Sequence, residues 1–177
     1  FVDLVRQQRG VNTNVRTTLD LPLNRFVHRT LVDRLDRLTK RNVSNGAVVV
    51  IENATGNVLA LVGSRDYFEV ESGQVNGAWA PRSAGSTFKP FTYLLALEAG
   101  MTPATVIADV PTDFATSTGV FSPQNFNRQF HGPMRLRLAL ANSLNVSAVK
   151  VLEAAGGATA LQKLLRECGL TTLEAKP

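Results

Sequence analysis

The sequence predicts a mixed α/β fold of the α+β type, in which an antiparallel sheet is flanked by helices. Three observations predict it: an apolar repeat at helical spacing, a β-hairpin pattern directly after it, and helical periodicity again in the second half of the chain. With 177 residues, of which 44% are hydrophobic, the chain can bury a core, which excludes a disordered polyelectrolyte. Two strands are too few for the predicted helices, so we expect the sheet to be completed by residues outside the chain or by another chain.

The first predicted helix begins after Asp20, a suitable N-cap, and ends near Asn42. Its apolar face consists of Leu23, Phe26, Val27, Leu31, Leu35 and Leu38, and its basic face of Arg25, Arg29, Arg34, Arg37, Lys40 and Arg41. The basic face suits anionic polymers or lipid headgroups, but acidic residues are interleaved with it, and we interpret it as a solvated surface. Residues 1–19 are assigned to a linker that leads into one domain, and residues 20–177 to the domain.

A β-hairpin is predicted next, with strands at Ala47–Glu52 and Val58–Gly63. Five turn-type residues that include a glycine separate the two strands, which is typical of a hairpin loop. Both strands are apolar on each face, so we expect helices to cover the sheet on both sides.

The remaining elements are mostly helical. A helix is predicted from Ser86 to Ala99, with Gly100 as its stop. Residues 101–133 are rich in Pro, Thr, Asn and Gly and are interpreted as a long functional loop. Short helices broken around Asn142–Asn145 follow, and a last helix is predicted from Ala158 to Cys168.

The segment around Ser86 and Lys89 carries the main chemical signal. A serine hydroxyl is a poor nucleophile unless a base removes its proton, and a lysine three residues later on a helix lies on the same face. At a helix start, free backbone N–H groups can stabilise a developing oxyanion. To act as the base, Lys89 must be neutral, which requires burial or a neighbouring positive charge to lower its pKa.

The Ser-x-x-Lys pattern is weak by itself, because the chain contains a second copy at Ser147 and Lys150. That copy lies inside an apolar helix without a preceding glycine, so its serine has no free N–H groups nearby. We interpret it as structural.

A second element, Ser143 and Asn145, lies in the predicted break between helices. On non-helical backbone, residues two apart point the same way, so a hydroxyl could relay a proton while a carboxamide holds a substrate amide. Ser-x-Asn is also a common helix-capping pattern. The pair is informative only together with Ser86 and Lys89.

Other candidate groups are interpreted as structural. His28 and His131 are far apart in sequence, with no ligand set around them, so we expect no metal and no cofactor. His28 is predicted to be solvated and His131 to be a turn residue, with an acid–base role as the alternative. Cys168, the one cysteine, is predicted to lie in the core. No basic cluster is interleaved with aromatic residues, which disfavours nucleic acid as a partner.

Taken together, these motifs resemble the penicillin-binding proteins, and in particular the transpeptidase domain of the class A, bifunctional enzymes. The resemblance covers nearly the whole chain and rests on five segments: Thr17–Asp20, Gly46–Gly63, Arg82–Phe91, Phe130–Pro133 and Ala141–Val146. The sequence around Trp79, Arg82–Gly85 and His131–Pro133 is most similar to the type-1C branch.

The resemblance implies the beta-lactamase/transpeptidase-like fold and a peptidoglycan D,D-transpeptidase that works through a serine acyl-enzyme. Ser86 would be the acylated nucleophile, Lys89 its base, Ser143 the proton relay and Asn145 a contact to the substrate amide. The partners it implies are stem peptides ending in D-Ala-D-Ala and beta-lactam antibiotics. The parent protein would be anchored in the membrane, face the periplasm and carry a glycosyltransferase domain.

One family motif, Lys-Thr/Ser-Gly, has no match among the lysines of this sequence. We therefore expect the chain to be the N-terminal part of the domain, inactive alone and completed by further residues or by a second chain. Two alternatives stay open: a non-catalytic penicillin-binding sensor or wall-binding module, and a beta-lactamase-like hydrolase.

Overall fold

The computed structural model describes residues 1–9, 14–117 and 119–172, with only the backbone given for Gln8 and Arg9. The chain divides into two compact units, one from Phe1 to Arg82 and one from Ser83 onward. In the described parts of both units, we find no helix with the length and apolar character needed to cross a bilayer.

In its described residues, the first unit holds two α-helices and a hairpin. Helix α1 spans Val2–Arg9, α2 spans Leu21–Leu38 and continues as a 3-10 turn, and strands β1 and β2 span Val48–Ile51 and Val58–Val62. The Asp20 carboxylate accepts a hydrogen bond from the Leu23 N–H at 2.9 Å, which satisfies a free amide at the start of α2. The predicted helix and the predicted hairpin are both confirmed.

The hairpin strands are antiparallel and differ in burial. Val50 pairs with Ala60, and α2 packs against β2. Ala60 and Val62 are buried, whereas Val49 and Ile51 of β1 are 41% and 54% exposed. The expectation that both strands would be covered on both faces is wrong for β1, because α2 lies against β2.

The second unit begins with a 3-10 turn at Gly85–Phe88, and the residues described after this turn form four α-helices and four short strands. These are α3 (Lys89–Glu98), β3 (Val106–Asp109), β4 (Phe114–Thr116), β5 (Gly119–Phe121), β6 (Gly132–Arg135), α4 (Leu136–Ala141), α5 (Asn145–Ala154) and α6 (Gly157–Glu167). The break between α4 and α5 and the last helix agree with prediction.

The segment 101–133 was expected to be a loop, and this expectation is wrong. Strand β3 pairs antiparallel with β6, with Val106 opposite Arg135 and Asp109 opposite Gly132, and β4 pairs with β5. Strands of three or four residues give little periodic signal, and β3 and β6 each depend on a partner more than twenty residues away.

The core of this unit lies between α3, α4 and α5. Its buried members are Tyr93, Ala96, Leu136, Ala139, Leu144, Ala148, Val151 and Ala155. Cys168 was predicted to lie in the core and is instead exposed. Cys168 is the C-cap residue of α6 and lies three positions after Leu165, the buried residue of this helix.

Candidate active site

The nucleophile candidate, Ser86, lies in the 3-10 turn that precedes α3 and is exposed. The α-helix begins at Lys89 rather than at the predicted Ser86, because Pro90 lacks an N–H group and fits only the first turn of a helix. The Thr87 N–H donates to the Ala84 carbonyl at 3.1 Å, so this amide is already bonded within the turn. Gly85, with φ +52°, supplies the left-handed backbone that turns the chain into the segment.

The Lys89 amine lies at the centre of a polar cluster. Its Nζ donates to Ser143 Oγ at 3.0 Å, to Asn145 Oδ1 at 2.6 Å and to the Ser143 carbonyl. The side chain is half-buried, and this burial lowers the pKa of the Lys89 amine below its ordinary value. Burial therefore shifts this amine toward its neutral form relative to an exposed lysine, while the three oxygens around Nζ match the three donors of the protonated amine.

Ser143 and Asn145 reach this amine from the break between α4 and α5. Ser143 has a left-handed backbone, φ +52°, and its N–H donates to the Leu140 carbonyl at 2.9 Å. This turn ends α4 and lets α5 begin two residues later at Asn145. The hydroxyl and the carboxamide consequently point to the same Nζ.

A cavity of about 460 Å³ has Ser86, Ser143 and Asn145 in its wall. Within the part of the chain that the structure describes, Ser86 Oγ makes no hydrogen bond, and none connects it to Lys89. The structure thus bonds Lys89 to Ser143 and Asn145 and places Ser86 on the same cavity with its hydroxyl free.

Two residues were missed in the sequence: Asn125, which lines this cavity, and Asp109, a buried residue that binds Asn125. Asn125 Oδ1 accepts from the Asn145 N–H at 2.7 Å, and Asn125 Nδ2 donates to both carboxylate oxygens of Asp109, at 3.0 and 2.9 Å. Asp109 also accepts from the backbone N–H of His131 at 2.9 Å and contacts its Nδ1 at 2.8 Å. A single acid at the end of a four-residue strand carries no signal in the sequence.

Burial and hydrogen bonding act on Asp109 in opposite directions. Burial raises its pKa, but the hydrogen bonds from Asn125 and His131 stabilise the carboxylate more, and the net pKa lies below the ordinary value. Burial, aided by the charge of Asp109, raises the pKa of Tyr93 to about 12. Asp109 is therefore an ionised carboxylate in the interior, balanced by several donors.

The other candidates make different contacts. Ser147 is fully buried, and Lys150 donates its Nζ to the Ala108 carbonyl at 2.7 Å, so the second Ser-x-x-Lys copy packs structurally as predicted. His28 is exposed, with Nε2 2.8 Å from the Arg65 carbonyl. Among the described residues, no three His, Cys, Asp or Glu side chains are grouped so that they could hold a metal ion.

Comparison with known proteins identifies related sequences. The family model of the penicillin-binding protein transpeptidase domain matches residues 46–174. Penicillin-binding protein 1C of Escherichia coli is 39% identical over 92% of this chain, and penicillin-binding protein 2D of Bacillus subtilis is 35% identical over 93%. The chain spans 20% and 23% of the lengths of these two relatives.

Solved structures show the same fold. Penicillin-binding protein 1A from Haemophilus influenzae superposes with a TM-score of 0.64 at 32% identity, over 71% of this chain and 18% of that one. The PonA1 protein of Mycobacterium tuberculosis in complex with penicillin V superposes with a TM-score of 0.68 at 20% identity, over 99% of this chain and 46% of that one. The predicted fold class is confirmed.

Proposed function

Because this chain belongs to the penicillin-binding protein transpeptidase domain family, we propose that it carries the acylation centre of a serine D,D-transpeptidase, with Ser86 as nucleophile. The observation that carries the proposal is the Lys89 amine, which is bound by Ser143 and Asn145, two residues that line the same cavity as Ser86. A half-buried amine with a lowered pKa, three residues from an exposed serine with a free hydroxyl, is suited to accept that serine's proton.

In the first step, Ser86 Oγ attacks the carbonyl carbon of the peptide bond between the two D-alanines, and its proton passes to neutral Lys89. The carbon–nitrogen bond then breaks. The departing amine of the terminal D-alanine takes a proton from Lys89 through the Ser143 hydroxyl, which leaves an ester on Ser86 and a neutral lysine. With a beta-lactam, the bond that breaks is the amide bond of the ring, and the amine stays attached.

In the second step, the amine of an acceptor stem peptide attacks the ester carbonyl. The acceptor loses its proton to Lys89 through Ser143, and Ser86 leaves with a proton and is regenerated. The same groups serve both steps. In the first step a proton passes from Ser86 Oγ to the leaving amine, and in the second step a proton passes from the acceptor amine back to Ser86 Oγ.

Asn145 has two roles in this proposal. Its Oδ1 accepts from Lys89 Nζ at 2.6 Å, while its Nδ2 donates to the Gln124 carbonyl at 2.8 Å. These contacts fix the orientation of the carboxamide, because the oxygen must face the amine and the NH₂ the carbonyl. When a substrate enters the cavity, the same carboxamide is placed to contact its amide.

The activity of the whole protein is also part of the proposal. The substrate is a stem peptide that ends in D-Ala-D-Ala, and the parent protein is a membrane-anchored, periplasm-facing enzyme with a glycosyltransferase domain. The sequence contains no Lys-Thr/Ser-Gly segment, which the family uses to bind the substrate carboxylate. We therefore propose that these 177 residues alone turn over little or no substrate.

The proposal is tested by labelling the full-length gene product with a fluorescent penicillin. Ser86→Ala should remove the covalent label, whereas Ser83→Ala, the matched change at an exposed serine three residues earlier, should keep it. Label that persists in Ser86→Ala would disprove the assignment. Rapid release of hydrolysed penicillin from the labelled serine would favour a hydrolase, and a stable adduct without cross-linking of stem peptides would favour a sensor.

A further inference from the structure

A buried carboxylate closes the loop that borders the Ser86 cavity. Asp109, 0% exposed, binds Asn125 at one end of this loop and His131 at the other. Inside the loop, Asn125 Nδ2 also donates to the Gln129 carbonyl at 2.9 Å, and the Arg128 N–H donates to the Asn125 carbonyl at 2.9 Å. The Asp109 side chain therefore holds both ends of the segment 125–131 in place.

The carboxamide of Asn125 can take one orientation only. Its NH₂ faces the two oxygens of Asp109, and its Oδ1 faces the N–H groups of Asn145 and Val146, at 2.7 and 3.4 Å. A flipped amide would place its oxygen against the Asp109 carboxylate and its NH₂ against the N–H groups of Asn145 and Val146, so that like groups would face each other on both sides. With Asn125 only 4% exposed, water cannot substitute for the lost partners, so the flipped form is strongly disfavoured.

Asn125 in turn fixes the start of α5. The first N–H groups of a helix have no partner within it, and Asn125 Oδ1 supplies one for Asn145 and Val146. The neighbouring residue, Gln124, accepts from Asn145 Nδ2 at 2.8 Å. The loop thus binds Asn145 through both its backbone and its side chain, which leaves Asn145 Oδ1 directed at Lys89 Nζ.

We propose that Asp109 and Asn125 are positioning residues for the reaction at Ser86, and that they act by holding Asn145 in the orientation in which it binds Lys89. This inference rests on the proposed function. The carboxylate fixes Asn125, Asn125 fixes the backbone of Asn145, and Asn145 then sets the place of the lysine amine that exchanges protons with Ser86 and Ser143.

The test measures penicillin acylation by the full-length gene product as two quantities, the dissociation constant of the initial complex and the acylation rate constant. Asn125→Ala should lower the rate constant about 10- to 100-fold, because small displacements of catalytic groups are costly, and change the dissociation constant less than about threefold. Gln129→Ala, on the same loop, removes an exposed side chain but keeps the carbonyl that Asn125 uses. It should acylate like the unchanged protein.

A double variant separates positioning from general loss of structure. If Asn125 acts through Asn145, the variant Asn125→Ala/Asn145→Ala should acylate no more than about threefold slower than Asn145→Ala alone. Rate losses that multiply would overturn the proposal. If Asn125→Ala does not unfold cooperatively, Asp109→Asn replaces it, because asparagine keeps the shape of the side chain. Combined with Asn145→Ala, it should also slow acylation no more than about threefold beyond Asn145→Ala alone.

The outcomes also separate this inference from the proposed function. If Ser86→Ala abolishes labelling while Asn125→Ala acylates at the unchanged rate, the positioning role is wrong and the acylation centre stands. If Ser86→Ala is still labelled, the proposed function itself is wrong.

Discussion

Lys89 Nζ lies 2.6 Å from Asn145 Oδ1, although the two residues are 56 positions apart in the chain. Helix α3 supplies the amine, and the first residue of α5 supplies the oxygen. Because α3 packs against α5 in the core of the second unit, helix packing brings the two side chains together, and the hydrogen bonds from Asn125 and Gln124 orient Asn145.

Replacement of the lysine tests its role as base. Lys89→Arg keeps the positive charge and the donors but cannot become neutral near physiological pH, so acylation should fall about 100- to 10,000-fold. The matched variant is Lys150→Arg, from the second Ser-x-x-Lys copy, which should stay within about threefold of the unchanged rate. The rate of labelling with fluorescent penicillin is measured for both variants. A Lys89→Arg protein that acylates normally would exclude a proton-accepting lysine.

The acylation rate should depend on pH through the Lys89 amine. Burial lowers the pKa of Lys89 from 10.5, and only the neutral amine accepts the serine proton. The rate constant should therefore rise with pH and level off above a pKa that lies below 10.5. It is measured at saturating penicillin over the pH range in which the protein stays folded. A rate constant that does not change over that range, or that falls as pH rises, would count against this role.

Ser143 offers a test of the proton relay that also controls for backbone strain. Its left-handed φ of +52° disfavours alanine but suits glycine. Ser143→Gly should thus fold at least as stably as Ser143→Ala by thermal unfolding. Both variants should lose acylation about 100-fold or more, because each lacks the hydroxyl. If Ser143→Gly restores the rate, the serine contributes backbone geometry and not a relay.

The hydrogen bonds to Asp109 predict a specific loss of stability in acid. The pKa of Asp109 in the folded state is lowered below the ordinary 3.8. Its ionised carboxylate therefore stabilises the folded protein above the unfolded-state pKa, and this stabilisation disappears as pH falls through the folded-state pKa. Asp109→Asn should be less stable at neutral pH by about 1–3 kcal/mol. This difference should shrink as pH falls below 3.8. Urea unfolding at several pH values measures it, and a gap that is equal at all pH values would contradict the assignment.

The elements predicted correctly are those with a strong local pattern. Asp20 caps α2, and the hairpin has apolar strands around a glycine turn. The segment with Ser86 and Lys89 also carries a local signal, a glycine followed by Ser-x-x-Lys, and its catalytic role stays a prediction. Each of these signals lies within a few residues, so periodicity and capping are enough to find it.

Strands β3 and β6 and the contacts of Asp109 were missed because they depend on partners far along the chain. Strand β3 pairs with β6 across more than twenty residues, and Asp109 acquires its function from Asn125 and His131, 16 and 22 positions away. Nothing local distinguishes this aspartate from a surface acid. Cys168 was misplaced for a related reason, because the face that α6 buries is decided by its neighbours in the fold.

The most direct test of the account is to locate the penicillin adduct by mass spectrometry. The full-length gene product would be labelled with penicillin, digested, and its modified peptide sequenced by fragmentation. We predict one adduct, whose mass equals that of the intact antibiotic, on Ser86 within the segment Gly85–Pro90. An adduct on Ser143, on Ser147 or on any other residue, or no adduct on folded protein, would contradict the assignment of Ser86 as the acylated nucleophile.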